Sequence, residues 1–82
     1  MIRVKMIYFA QAREAAGTKD EEFSLDKRSS VRTALSRAFE AHPKLRPLEK
    51  AIKVAVNEEI TQEDVPLEEG DRVALLPPVV GG

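Results

Sequence analysis

The residues of this chain best placed to do chemistry carry almost no functional groups. They are Pro77-Pro78-Val79-Val80-Gly81-Gly82, and their one reactive group is the α-carboxyl of Gly82. A free α-carboxyl has a pKa of about 3.5 and is an anion at neutral pH, so it is a poor acyl electrophile until another protein gives it a leaving group. Gly81 and Gly82 remove side-chain bulk beside that carboxyl. Such an end can enter a narrow channel and let a partner's atoms close on the terminal carbonyl. Pro77 and Pro78 fix φ and offer no N–H, so a strand running into them stops pairing and the chain leaves extended, with a reach from Pro77 of roughly 20 Å. The alternative is a frayed terminus with no role. Against it stands Gly70-Asp71-Arg72-Val73-Ala74-Leu75-Leu76, which reads as a turn and a buried strand leading into the prolines. A core strand would anchor the tail at its base.

Little else in the chain could support catalysis. There is no cysteine, hence no disulfide, thiolate nucleophile or thiolate metal site. The single histidine, His42, can form neither a metal cluster nor a histidine pair. It precedes Pro43, where a helix must end, and is expected to cap that helix or face solvent. No bound metal and no resident cofactor are expected. At 82 residues the chain is one small domain, able to bury about 60 to 65% of its unfolded surface. We divide it into a folded domain over 1–76 and a flexible, extended tail over 77–82.

A hydrophobic fraction of 43% and a charged fraction of 33% are those of an ordinary globular protein, and no apolar run approaches a membrane span. Met1-Ile2-Arg3-Val4-Lys5 alternates charged and apolar residues, unlike a signal peptide. The expected setting is the cytoplasm, with no membrane partner. The net charge of −1 is unevenly divided: residues 1–53 hold twelve Lys+Arg against seven Asp+Glu, and residues 54–82 hold one against seven. The acidic set is either solvated loop charge or a means of steering a basic partner. It would repel phosphate, and no basic patch is interleaved with aromatics, so nucleic acid is not an expected ligand.

The elements that must position the tail follow from periodicity. Ile2, Val4 and Met6 alternate with Arg3 and Lys5, predicting a first strand over 2–9 with even residues inward and Ile7 and Phe9 outward. Ala10–Ala16 followed by Gly17 predicts a short helix with a glycine end. Thr18–Glu21 reads as a charged turn and Glu22–Leu25 as a strand with Phe23 and Leu25 inward. Ser30 is a good N-cap for a helix in which Val31, Ala34, Leu35, Ala38 and Phe39 form one apolar stripe while Arg32, Arg37 and Glu40 face water. After His42-Pro43, the segment Lys44–Ala51 is a loop or short turn. Ile52, Val54 and Val56 predict a strand, Asn57-Glu58 a turn, Ile60-Thr61 a very short strand, and Val73 and Leu75 the inward side of the last strand. Gly70 supplies a positive φ before it. The order β-β-α-β-(β)-β with one main crossing helix predicts an α+β, ubiquitin-like β-grasp fold: a mixed sheet whose first and last strands are adjacent and parallel. Phe9 and Leu76 then become neighbours on the open face, beside the exit of the tail, as an apolar docking patch.

Three stretches carry a family resemblance: Val4 to Gly17, with Tyr8-Phe9-Ala10 and Arg13-Glu14; Ala55-Val56-Asn57; and Gly70 to Gly82. Together they resemble the small subunit of molybdopterin synthase, a ubiquitin-like sulfur carrier, over nearly the whole length. The resemblance implies an adenylating activating enzyme that uses ATP to adenylate the terminal glycine, which then becomes a covalent thiocarboxylate on Gly82. It implies as partner the large synthase subunit, in a heterotetramer of two small and two large subunits. There two carriers in succession give sulfur to cyclic pyranopterin monophosphate and form the dithiolene of molybdopterin. Carried over by position, Gly82 holds the adenylate and then the sulfur, and Gly81 gives clearance. Phe9, Arg13, Ile60 and Leu76 match positions facing the large subunit, and Pro77, Pro78, Val79 and Val80 match the inserted arm. The chain departs from the family at Val80, where a small or polar residue is frequent, and this bears on the local fit of the arm. A protein modifier joined through Gly82 to lysines, or a carrier for thiazole or another thiolation pathway, would share the tail chemistry. Thiazole carriers are typically shorter and lack the Arg13-Glu14 segment and the double proline.

Overall fold

A computed structural model describes residues 1–78. They form, in order, β1 (Ile2–Tyr8), α1 (Ala10–Ala16), β2 (Asp20–Leu25), α2 (Val31–Ala41), a 3-10 helix (Pro43–Leu48), β3 (Lys53–Val56), β4 (Glu59–Thr61) and β5 (Arg72–Leu76). The strands make one sheet in the order β2-β1-β5-β3-β4. β1 and β5 pair in parallel, and the other three pairings are antiparallel. A parallel pair needs a long crossover, and α2 lies within it, over one face of the sheet. The fold is the α+β β-grasp that the order of elements predicts.

Even-numbered residues of β1 and odd-numbered residues of β5 supply the covered face. Val4, Met6, Tyr8, Val73 and Leu75 are buried there, with Val31, Ala34, Ala38 and Phe39 of α2 packed in the same core. Leu35, at the edge of the stripe, is only partly buried. Arg37 lies over the Phe23 ring, 5.5 Å from its centroid. It therefore covers β2 with its stem and guanidinium rather than only facing water. The predicted short turn after Pro43 is the 3-10 helix, which buries Leu45. No helix among the described residues is long and apolar enough to cross a membrane.

Two boundaries differ from those predicted. β1 ends at Tyr8 because Ala10 takes φ 47, turning the chain just after Phe9 into a region that a Cβ disfavours. β2 begins at Asp20, since Asp20 and Glu21 lie opposite Ile7 and Met6. Charge concealed that pairing in the sequence, but an outer strand tolerates charge because one side faces water.

The loops are tied by specific hydrogen bonds. At the start of α2, the Thr33 hydroxyl accepts from the Ser30 N–H at 3.2 Å, completing a capping box. The Arg32 N–H donates to Asp64 Oδ1 at 2.8 Å. That bond first, and the Ser30 hydroxyl second, hold the Asp64 carboxyl below the usual carboxylate range. Asn57 and Glu58 both take positive φ, 51 and 74, as the two-residue turn of a tight hairpin. The Asn57 side chain also accepts from the Arg72 N–H and donates to Asp71 Oδ1, both at 2.9 Å, fastening the β3–β4 turn to the start of β5.

Candidate functional site

β5 holds the middle place in the sheet, hydrogen-bonded to β1 on one side and β3 on the other. Its last residue is Leu76, followed by a buried Pro77 and an exposed Pro78. The proline pair thus ends a strand held on both sides, and an edge strand would give no such anchorage. The predicted arm residues Val79 and Val80, and the predicted reactive residues Gly81 and Gly82, lie outside the described residues.

The other predicted site residues can be placed by register. Tyr8 lies opposite Leu75, so Phe9 and Leu76 come next to each other at the end of β1 and β5. Phe9 is extended, donates its N–H to the Leu75 carbonyl at 3.3 Å, and exposes 40% of its surface. Leu76 is half-buried and lies opposite Lys53. Ile60, 62% exposed, sits on β4, two strands from β5, or about 10 Å away at the usual strand spacing. Arg13 is exposed on α1, and its Nε donates to the Tyr8 carbonyl at 3.4 Å, pinning the helix to the end of β1.

A row of residues that the linear sequence does not reveal joins these positions. Ile7 is opposite Ala74, Ala74 opposite Ala55, and Ala55 opposite Ile60, so four apolar side chains cross β1, β5, β3 and β4 on the uncovered face. Their contiguity depends on pairing register, which no local pattern gives. Small alanines in its middle make the row shallow, and Phe9 and Leu76 extend it toward Pro77. Contiguous apolar surface on one face is what a docking protein would cover.

The acidic residues of the second half are less free than their sequence clustering implies. Asp64 caps α2. Asp71 accepts from Asn57 and, at 2.8 Å, from the Glu68 N–H, while Glu69 pairs with Arg3 at 3.5 Å. These three carboxylates secure loops, which favours the reading of the cluster as structural and solvated charge.

His42 departs from its expected role in part. Its N–H does close α2 through the Ala38 carbonyl, but the side chain is turned inward to meet the Glu21 carboxylate. Tyr8 donates its hydroxyl to the same carboxylate oxygen at 2.7 Å, and its ring meets the imidazole edge-on. Burial, and then the Glu21 carboxylate, push the Tyr8 phenol well above its ordinary range, so it remains a donor. This cluster joins β1, β2 and the corner after α2. Among the described residues, none of its side-chain hydrogen bonds reaches Phe9 or Pro77.

A β-grasp body with a central strand running into a double proline, beside an uncovered apolar row, defines a class. Residues 6–82 match the model of the ThiS family, and the chain belongs to that family. Within it the chain groups with the molybdopterin synthase sulfur carrier subunits. It is 35% identical over 83 residues to the one from Chlamydomonas reinhardtii, covering 99% of this chain and 100% of the relative. It is 35% identical over 80 residues to the one from Escherichia coli, covering 96% and 99%. Among solved structures it resembles the small archaeal modifier protein 1 of Haloferax volcanii, with a TM-score of 0.84, 27% identity, and coverage of 96% and 100%.

Proposed function

We propose that this chain works as the sulfur-donating small subunit of a molybdopterin synthase, through a thiocarboxylate on Gly82. An activating enzyme uses ATP to convert the Gly82 carboxylate to an acyl adenylate, releasing pyrophosphate. Sulfur at the oxidation level of hydrosulfide then displaces AMP and leaves the thioacid anion, a soft nucleophile on an arm without side chains. The large subunit receives the arm, and two charged carriers in succession supply the two sulfurs of the dithiolene to cyclic pyranopterin monophosphate. The complex is a heterotetramer of two small and two large subunits. Phe9, Arg13, Ile60 and Leu76 contact the large subunit, and Pro77 to Val80 form the inserted arm.

The observation that carries this reading is the end-to-end likeness to molybdopterin synthase sulfur carrier subunits. The central, doubly paired β5 supports it physically, because a rigid base fixes where the arm starts. Adding one residue after Gly82 tests it. The extended chain should fold normally yet fail ATP-dependent activation, while the parent should gain about 16 Da, one oxygen exchanged for sulfur, by intact mass. Sulfur transfer by the extended chain at the parent rate would overturn the proposal.

A second reading rests on the likeness to the small archaeal modifier protein. Here the activated Gly82 is joined to lysines of target proteins. Lysine-linked conjugates of this chain in a digest of the native cell would favour it. Their absence, together with the mass gain, favours the carrier.

A further inference from the structure

The open face sets two like charges side by side. Lys5 of β1 and Arg72 of β5 lie directly opposite each other, both exposed, with side chains on the same uncovered side as the apolar row. Like charges directly opposite on neighbouring strands repel. Glu22 flanks Lys5 from β2, but neither Lys5 nor Arg72 makes an ion pair among the described residues. Asn57, the next neighbour of Arg72, is engaged through its side-chain amide with the Arg72 N–H and Asp71. On the other side of the apolar row, Lys53 lies opposite Leu76 and is likewise exposed.

Across β1, β5 and β3 the row is therefore bordered by cations on both sides, although the second half of the sequence is strongly acidic. At the outer β2 edge of the same face, Asp20 lies opposite Ile7 and Glu22 opposite Lys5. Asp64, Glu69 and Asp71, which could have offset the cations, are held in loops by a helix end, Arg3 and Asn57. Charge complementarity then fixes the chemistry of what covers this face. We propose that the docking partner presents an apolar patch bordered by carboxylates, one or more of them placed to meet the Lys5–Arg72 pair. This rests on the reading that the large synthase subunit covers the open face. It adds that long-range attraction draws an acidic surface to a basic one, the reverse of what the sequence halves suggest.

Border charges act mainly on the association rate and its salt dependence, and apolar anchors on dissociation. The test is stopped-flow or surface-based association of the full-length chain with its purified large subunit, between low and moderately high salt. The parent should associate more slowly as salt rises. The double variant Lys5→Glu, Arg72→Glu should associate at least about tenfold more slowly at low salt, with a salt dependence that is lost or inverted. Lys5→Gln with Arg72→Gln should fall between, and thermal melts of each variant establish that it is folded. A parent rate indifferent to salt, or a folded double variant associating at the parent rate, overturns the inference while leaving the carrier reading intact. If the parent does not bind the large subunit at all but still gains sulfur, the assignment of the partner fails instead.

Discussion

The two faces of this one sheet divide the work of the protein. Under α2 the strands present Val4, Met6, Tyr8, Val73 and Leu75, each at most 1% exposed. On the other face the same strands present Ile7, Ala74 and Leu76, all partly exposed, with Phe9 and Ile60 more open still. Ala55, in the middle of that open side, is itself buried. Side chains one residue apart thus have opposite tasks, since successive residues of a strand point to opposite faces. Stability resides on one side and contact on the other, so substitutions should separate the two properties cleanly.

The largest effect should come from the covered side. Leu75→Ala removes a fully buried side chain from the central strand and should cost about 2 to 5 kcal/mol of folding stability, read by denaturant unfolding. A loss below that range would mean that the covered face is less tightly packed than its burial implies. The mirror experiment is Phe9→Ala, which should weaken binding to the large subunit by about 1 to 3 kcal/mol with little loss of stability. Calorimetry checks the first part and a thermal melt the second. If affinity is unchanged, Phe9 is not part of the contact; if the chain unfolds, the division between faces is not as sharp as drawn.

That division also explains what could be read from the sequence. The covered face was legible because burial imposes local periods: two in Ile2, Val4, Met6 and in Val73, Leu75, and 3.6 in the α2 stripe. The Gly17 and Gly70 turns were legible from the positive φ that each needs, 75 and 85. The joining of Phe9 to Leu76 followed once the first and last strands were taken as parallel neighbours. The row from Ile7 to Ile60 was not legible, because two of its members are alanines with no marked preference and its order is set by register across four strands. Nor was the position of Glu21. A charged residue in a charged run looks like turn, and only tertiary pairing makes it the shared acceptor of Tyr8 and His42.

Smaller effects sharpen how the covered face is fastened. Tyr8→Phe deletes the hydroxyl that donates to Glu21 and should cost about 1 to 2 kcal/mol. Because the folded phenol is held above its ordinary range, its contribution is complete at neutral pH. It is lost as pH rises past the unfolded tyrosine value of about 10. The parent should therefore show an alkaline loss of stability that Tyr8→Phe reduces. Equal alkaline slopes in the two proteins would place the cause elsewhere.

The smallest effect concerns the loop that secures the helix over that face. Asp64 lies far from α2 in sequence yet accepts the Arg32 N–H, and its carboxyl is held below the usual range by that bond and by Ser30. A group depressed on folding stabilises the folded state above its unfolded value, about 3.9 for aspartate, and loses that contribution as pH falls through the folded value. Asp64→Asn keeps a side-chain oxygen that can accept from the amide but removes the charge that favours a helix N-terminus. The variant should melt slightly below the parent at neutral pH, with the gap closing as acid protonates Asp64 in the parent. Melting curves from pH 7 to pH 3 decide the matter. A gap that persists unchanged into acid would assign the contribution of Asp64 to shape and hydrogen bonding, leaving its charge without a part in holding α2 over the sheet.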